Sequence, residues 1–177
     1  MIRLFVALAL PDDVAQGLLM LESGVPGARW STREQLHLTL RFIGDVEEGD
    51  ARAIDETLSG ISARRFTLEL KGVGVFGGKN PRALWVGIAP NEALVHLQRK
   101  IESAMQRLGF PAEERKFTPH VTLARLRAAP TERVMDYVAG HSLYRSGPFE
   151  MNEFILYSSR LTPNGSIYAA ERDYSLT

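Results

Sequence analysis

Two stretches of the chain alternate between polar and apolar side chains around the same four-residue unit. His37-Leu38-Thr39-Leu40 is echoed by His120-Val121-Thr122-Leu123, each inside an apolar, β-branched run. Alternation at period two predicts a strand with one buried and one solvated face. These strands are expected over about residues 36–43 and 116–126, the first ending at the Gly44-Asp45 turn signal. Successive strand side chains point to opposite faces, so His37 and Thr39 share a face, with Leu38 and Leu40 on the other. His120 and Thr122 stand in the same relation to Val121 and Leu123.

The rest of the pattern surrounds these two units with ordinary elements. The apolar run at residues 2–10 predicts a buried first strand, because it stops at Pro11-Asp12-Asp13 with no cleavage-like small-residue pattern. Pro11 then opens a helix, Asp12 and Asp13 suit its first turn, Val14, Leu18 and Leu21 form its apolar face, and Gly24 lies past its end. A second helix is expected over 51–58 and strands over 66–70 and 83–88, with the glycine-rich stretch 72–82 as a hairpin loop. The clearest helix spans 92–108, where Leu94, Leu97, Ile101, Met105 and Leu108 form one stripe and Gly109 closes it. A shorter helix is expected over 131–139 and final strands over 149–158 and 167–174, joined by the turn-rich Thr162-Pro163-Asn164-Gly165. The order β-α-β-α-β-β-α-β-α-β-β predicts an α+β fold. It suggests an internal duplication in which residues 1–177 form one compact unit of two similar lobes, with one motif in each.

Composition narrows the function. With 21 basic and 21 acidic residues the net charge is zero, which disfavours a protein that coats extended duplex nucleic acid. A small anionic ligand held by local charges stays open. Lysine occurs only at Lys71, Lys79, Lys100 and Lys116, so arginine supplies most of the positive charge. Arginine forks match phosphate geometry, although GC-rich coding would produce the same bias. There is no cysteine, which removes disulfides, thiolate metal sites and a Cys nucleophile. No apolar run is long enough to span a bilayer, and a cytoplasmic location with a monomeric state is the expectation.

Only four histidines exist, and two hold equivalent places in the repeated unit. His96 lies off the helix stripe and reads as a surface residue. His141 reads as a cation near a helix C-terminus. An imidazole changes protonation near neutral pH, so a facing pair can remove one proton and supply another. Cleavage of a phosphodiester needs both acts, at the attacking oxygen and at the leaving oxygen. Thr39 and Thr122 could donate hydrogen bonds to non-bridging oxygens, where charge accumulates. Arg41 keeps the strand phase of His37, so it is expected on the same face. Arg125 falls out of phase with His120 and needs a bulge to join the site, and Arg115 lies nearby in sequence.

These features resemble the 2H phosphoesterase superfamily, named for two H-x-T-x motifs, and within it the RNA 2′,3′-cyclic phosphodiesterases, also called 2′-5′ RNA ligases. The resemblance runs nearly the full length: Arg3-Leu4-Phe5-Val6-Ala7, the run from His37 to Gly44, Pro81 to Gly87, and Phe117 to Arg125. It implies a two-lobed fold of pseudo-twofold related halves around a central cleft. It further implies hydrolysis of an RNA-terminal 2′,3′-cyclic phosphate to a 2′-phosphomonoester, without a metal or other cofactor. His37 would be the proton donor and His120 the proton acceptor. The near-symmetry of the two motifs leaves that assignment open from the residues themselves.

Three other readings use the same residues. A metal hydrolase would take His37 and His120 as ligands, but no further His, Asp or Glu cluster lies beside either motif. A non-catalytic module would bind RNA ends or nucleotides on the same scaffold. A 2′-5′ ligase joining tRNA halves would run the related reaction through the same proton transfers. Phe5, Trp30, Phe42, Trp85 and Phe117 are either base-stacking side chains or ordinary core.

Overall fold

The computed structural model describes residues 1–177. In chain order the elements are β1 (Ile2–Ala9), α1 (Asp12–Leu19), β2 (Ala28–Trp30), a 3₁₀ turn (Arg33–Gln35), β3 (His37–Val46), α2 (Glu48–Ser59), β4 (Phe66–Phe76), β5 (Ala83–Ile88) and α3 (Glu92–Arg107). There follow β6 (His120–Leu126), α4 (Thr131–Gly140), β7 (Arg145–Met151), β8 (Glu153–Thr162) and β9 (Gly165–Ser175). The strands form one mixed-order sheet, β7-β4-β5-β6-β3-β1-β8-β9, with β2 added to β6. Every pairing is antiparallel. The fold is therefore α+β, as the patterning predicts.

The two motif strands are neighbours at the centre of the sheet, bridged at one residue pair, Leu38 opposite Val121. These are equivalent residues of the two motifs, so a pseudo-twofold axis passes through the bridge. Leu38, Leu40, Val121 and Leu123 are at most 3% exposed and belong to a core of 36 side chains. The four helices supply the facing layer: Val14 and Leu18 of α1, Ile54 and Leu58 of α2, Leu94, Leu97, Ile101 and Met105 of α3, and Val134 of α4. Each such fully buried aliphatic side chain contributes roughly 1.5–3 kcal/mol. Asn91 caps α3 by accepting the Leu94 amide at 2.9 Å, and Gly109 turns the chain at φ +96° just past its end.

The structure departs from the sequence pattern in four places. The leaves of the sheet are not the halves of the chain: the β4–β5 hairpin sits beside the second motif strand, and β8–β9 sits beside β1 and the first. The run 149–158 is two strands, β7 and β8, on opposite sides of the sheet, with Asn152 between them. The glycine-rich stretch is only in part a hairpin loop: β4 continues to Phe76, and residues 77–82 make the turn into β5. Gly74 serves close approach: a Cβ there would lie 2.2 Å from the Trp85 ring, which crosses β4 at that point. The second motif strand also begins at His120, after Pro119, which has no amide to donate to a ladder.

Candidate active site

His37 is held at both ring nitrogens. Nδ1 donates to the Gln35 carbonyl at 2.8 Å, which leaves Nε2 as acceptor for the Thr39 hydroxyl at 2.9 Å in the neutral ring. Gln35 is itself fixed, because its side chain accepts the Thr32 amide at 3.0 Å and donates to the Ser166 carbonyl at 3.0 Å. Around the ring stand Phe5 at 5.0 Å, Tyr168 edge-on at 5.2 Å and Tyr157 at 6.2 Å between centroids. Burial in this nest lowers the His37 pKa to about 4, against the lift from the Gln35 carbonyl, with His120 and Arg125 adding smaller like-charge contributions. His37 is thus neutral at pH 7.

His120 is arranged alike. Its Nδ1 donates to the Thr118 carbonyl at 2.6 Å, again two residues back. Pro119 restricts Thr118 to extended backbone and so helps aim that carbonyl. Phe76 meets the His120 ring edge-on at 4.9 Å, and Trp85 lies at 6.3 Å. The antiparallel bridge at Leu38 and Val121 sets His37 across from Thr122 and Thr39 across from His120 on one face. Each imidazole therefore stands opposite the other strand's threonine in register, with its Nδ1 tethered to the backbone. The charge felt by His37 from His120 places the rings within electrostatic reach.

The arginines exchange roles relative to the simple strand phase. Between Thr39 and Arg41 the pairing with β1 slips by one residue, leaving Leu40 as a bulge. Between Thr122 and Ala124 the pairing with β5 slips likewise, leaving Leu123 as the equivalent bulge. An extra residue reverses the inward and outward alternation beyond it. Arg41 consequently turns into the helix layer, 8% exposed, where it forms a 2.6 Å ion pair with Glu102 of α3. It also donates to the carbonyls of Phe42 at 2.9 Å and Pro111 at 2.5 Å. Its expected place in the site is incorrect. Arg125 instead comes out on the cleft side, exposed, and is close enough to His37 to depress its pKa. Phe42, 52% exposed, occupies the position equivalent to Arg125 on the other strand.

Of the aromatics singled out in the sequence, Phe5 and Trp85 reach the histidines. Trp30 packs against Tyr137 away from them, and Phe117 packs against the core. Tyr157, Tyr168 and Phe76 carry no local signal in the sequence; strand pairings delivered by distant segments bring them in. His96 is exposed on α3. His141 caps the C-terminus of α4 and donates to the Tyr137 carbonyl at 2.8 Å. No group of three or more His, Asp or Glu side chains capable of holding a metal ion forms anywhere in the fold, and no helix is long and apolar enough to cross a membrane.

A family model described as the 2′-5′ RNA ligase superfamily matches residues 12–162. The chain belongs to that superfamily. The RNA 2′,3′-cyclic phosphodiesterase of Archaeoglobus fulgidus is 34% identical over 170 residues, covering 94% of this chain and 96% of the relative. That of Methanocaldococcus jannaschii is 30% identical over 176 residues, covering 97% and 99%. Among solved structures, TT0787 of Thermus thermophilus superposes with a TM-score of 0.81 at 25% identity, covering 98% of this chain and 97% of the other. E. coli LigT complexed with 3′-AMP superposes with a TM-score of 0.81 at 26% identity, covering 99% and 98%.

Proposed function

We propose that this chain hydrolyses the 2′,3′-cyclic phosphate at an RNA or nucleotide end to a 2′-phosphomonoester, by acid–base catalysis between two histidines and without a metal. The observation that carries the proposal is the pair of equivalently tethered imidazoles on adjacent strands, each with a threonine hydroxyl on the same face. The similarity to proteins named RNA 2′,3′-cyclic phosphodiesterase supports the substrate class.

In this reading His120 takes a proton from water as its oxygen attacks phosphorus. The phosphorus–O3′ bond breaks and His37 Nε2 delivers a proton to O3′, while the phosphate stays on O2′. Thr39, Thr122 and Arg125 hold the non-bridging oxygens, and Arg41 acts only through the fold. The Thr39 hydroxyl must leave His37 Nε2 for this to happen, and a bound non-bridging oxygen gives it another acceptor. Incubating the protein with nucleoside 2′,3′-cyclic phosphates in excess chelator, and resolving the product isomer, tests the proposal. His37→Ala and His120→Ala are each expected to lose about 10²–10⁴-fold in kcat, with the double variant losing less than the product. Full turnover in either single variant would refute the mechanism.

The neutral state of His37 favours a second reading, with the two roles exchanged. A p-nitrophenyl phosphodiester decides between them, because its leaving group departs without a proton. The variant lacking the acid should retain most of its turnover on that ester, and the variant lacking the base should not. The superfamily's description also admits ligation, and paired tRNA halves would yield a joined product if the chain carries it out.

A further inference from the structure

A groove of about 1170 Å³ lies at the end of the sheet, lined by residues other than the two motif histidines. Its floor and walls come from the α2–β4 connection, the end of β5, the outer face of α3, and Pro119. Pro119 immediately precedes His120, and Ile88 follows Gly87, the residue paired with His120 across β5 and β6. The groove therefore starts next to the catalytic strand position and runs outward over α3.

Its chemistry is cationic. Arg64, Arg99 and Lys100 line it, with His96, and Glu92 is its only acidic side chain. Outside the groove eight arginines are paired with carboxylates, among them Arg3, Arg33, Arg65, Arg145 and Arg172, and seven are in no ion pair. Arg64, Arg99 and Lys100 take part in no such ion pair, and the Lys100 ammonium donates only to the Ser62 carbonyl. His96, Arg99 and Lys100 follow one another at helical spacing on the exposed side of α3, opposite the buried Leu94, Leu97 and Ile101. On a chain of zero net charge, three unpaired cations in one groove are a local field rather than a general basic surface.

We propose that this groove binds the phosphodiester backbone of a single-stranded RNA whose cyclic-phosphate end lies between His37 and His120. The proposal rests on the hydrolytic reading above and extends it: the preferred substrate is an oligonucleotide end rather than a free cyclic mononucleotide. Groove cations contact the upstream phosphates and leave the reacting phosphorus to the motif residues.

The test compares the wild type with the variant Arg64→Ala/Arg99→Ala/Lys100→Ala on two substrates, a nucleoside 2′,3′-cyclic phosphate and a hexaribonucleotide ending in the same group. The wild type should favour the hexamer. The variant should turn over the mononucleotide within twofold of wild type, while its KM for the hexamer rises about tenfold. Single-strand binding loses about 0.7 of a unit of salt slope per released phosphate contact, so the variant's slope for the hexamer should fall by about 2. An unchanged hexamer KM and salt slope would overturn the groove assignment. Fluorescence anisotropy with a hexamer ending in a 2′-phosphate reads the groove without turnover, so failure of the hydrolytic reading is seen separately. Displacement of that hexamer by polyglutamate at equal charge would also overturn the RNA assignment.

Discussion

A neutral His37 makes a sharp prediction about what the substrate does to it. With a pKa of about 4, this imidazole is protonated in about one molecule per thousand at pH 7. An anionic oxygen at about 4 Å interacts with an imidazolium by about 4 kcal/mol at an effective dielectric of about 20. That energy corresponds to about three pK units, which would bring His37 to near neutrality. A bound phosphate would thus arm its own general acid. Inorganic sulfate does not titrate in this range and is the cleanest probe. Nitrogen-15 ring shifts should place the His37 pKa near 4 without sulfate and near 7 when the site is saturated. By linkage, sulfate affinity should rise about tenfold for each pH unit lowered across that window, and His37→Gln should abolish most of the rise. A ring that titrates near 6.5 in the free protein, or that stays below 5 with sulfate bound, would refute the reasoning.

The same shift sets a stability prediction. The unfolded chain binds a proton at His37 near its ordinary pKa of 6.5 and the folded chain only near 4, so stability is lost as pH falls through that window, by about 3 kcal/mol at most. Denaturant midpoints measured from pH 7 to pH 4 should show this component flattened in His37→Gln; identical pH profiles would exclude it. Arg125→Ala should lower kcat/KM by about 10–100-fold, the loss of one charge-assisted hydrogen bond, with an unchanged melting temperature. Arg41→Ala should behave in the opposite way, because it leaves Glu102 unpaired in the helix layer at a cost of about 3–5 kcal/mol. In a chain of this size that is a fall of about 6–20 °C in melting temperature, and a melt within 2 °C of wild type would show that Arg41 is not structurally held.

The contrast between those arginines marks what the sequence could convey. Period-two alternation placed both motif strands and their buried leucines correctly, because burial on one face is a local and repeated constraint. It could not reveal the bulges at Leu40 and Leu123, since a bulge is a relation between two strands and neither strand records it alone. Extrapolating the phase past the bulge sent Arg41 to the cleft, and Arg125 was a phosphate-binding candidate only on condition of a bulge. The stripe of α3 was legible for the same reason as the strands, whereas residues 72–76 were misread as part of the loop that 77–82 do form. The demand for glycine at Gly74 comes from Trp85, a side chain on another strand. The aromatic nest of His37 was invisible too, since β8 and β9 reach β1 from the far end of the chain.

The pseudo-twofold axis explains both the resemblance of the two motifs and the need for something to break it. Two tethered imidazoles in identical surroundings would titrate together, and a pair that shares one proton demand cannot divide acid from base duty. The scaffold repeats the carbonyl tether, the hydroxyl and even the bulge, so the backbone does not distinguish the two sites. The distinction comes from side chains that arrive from outside the repeat. Phe5, Tyr157 and Tyr168 enclose His37, whereas Phe76 and Trp85 flank His120. Past the bulges, Phe42 stands where the other strand carries Arg125. Charge on one side and an apolar ring on the other give a cyclic phosphate two different ends to meet. Exchanging these two side chains, as Phe42→Arg with Arg125→Phe, should therefore disturb the orientation of bound nucleotide more than it disturbs the fold. The product isomer ratio is the measurement that reads this, and an unaltered ratio with unaltered kcat/KM would show that the asymmetry lies in the aromatic nest alone.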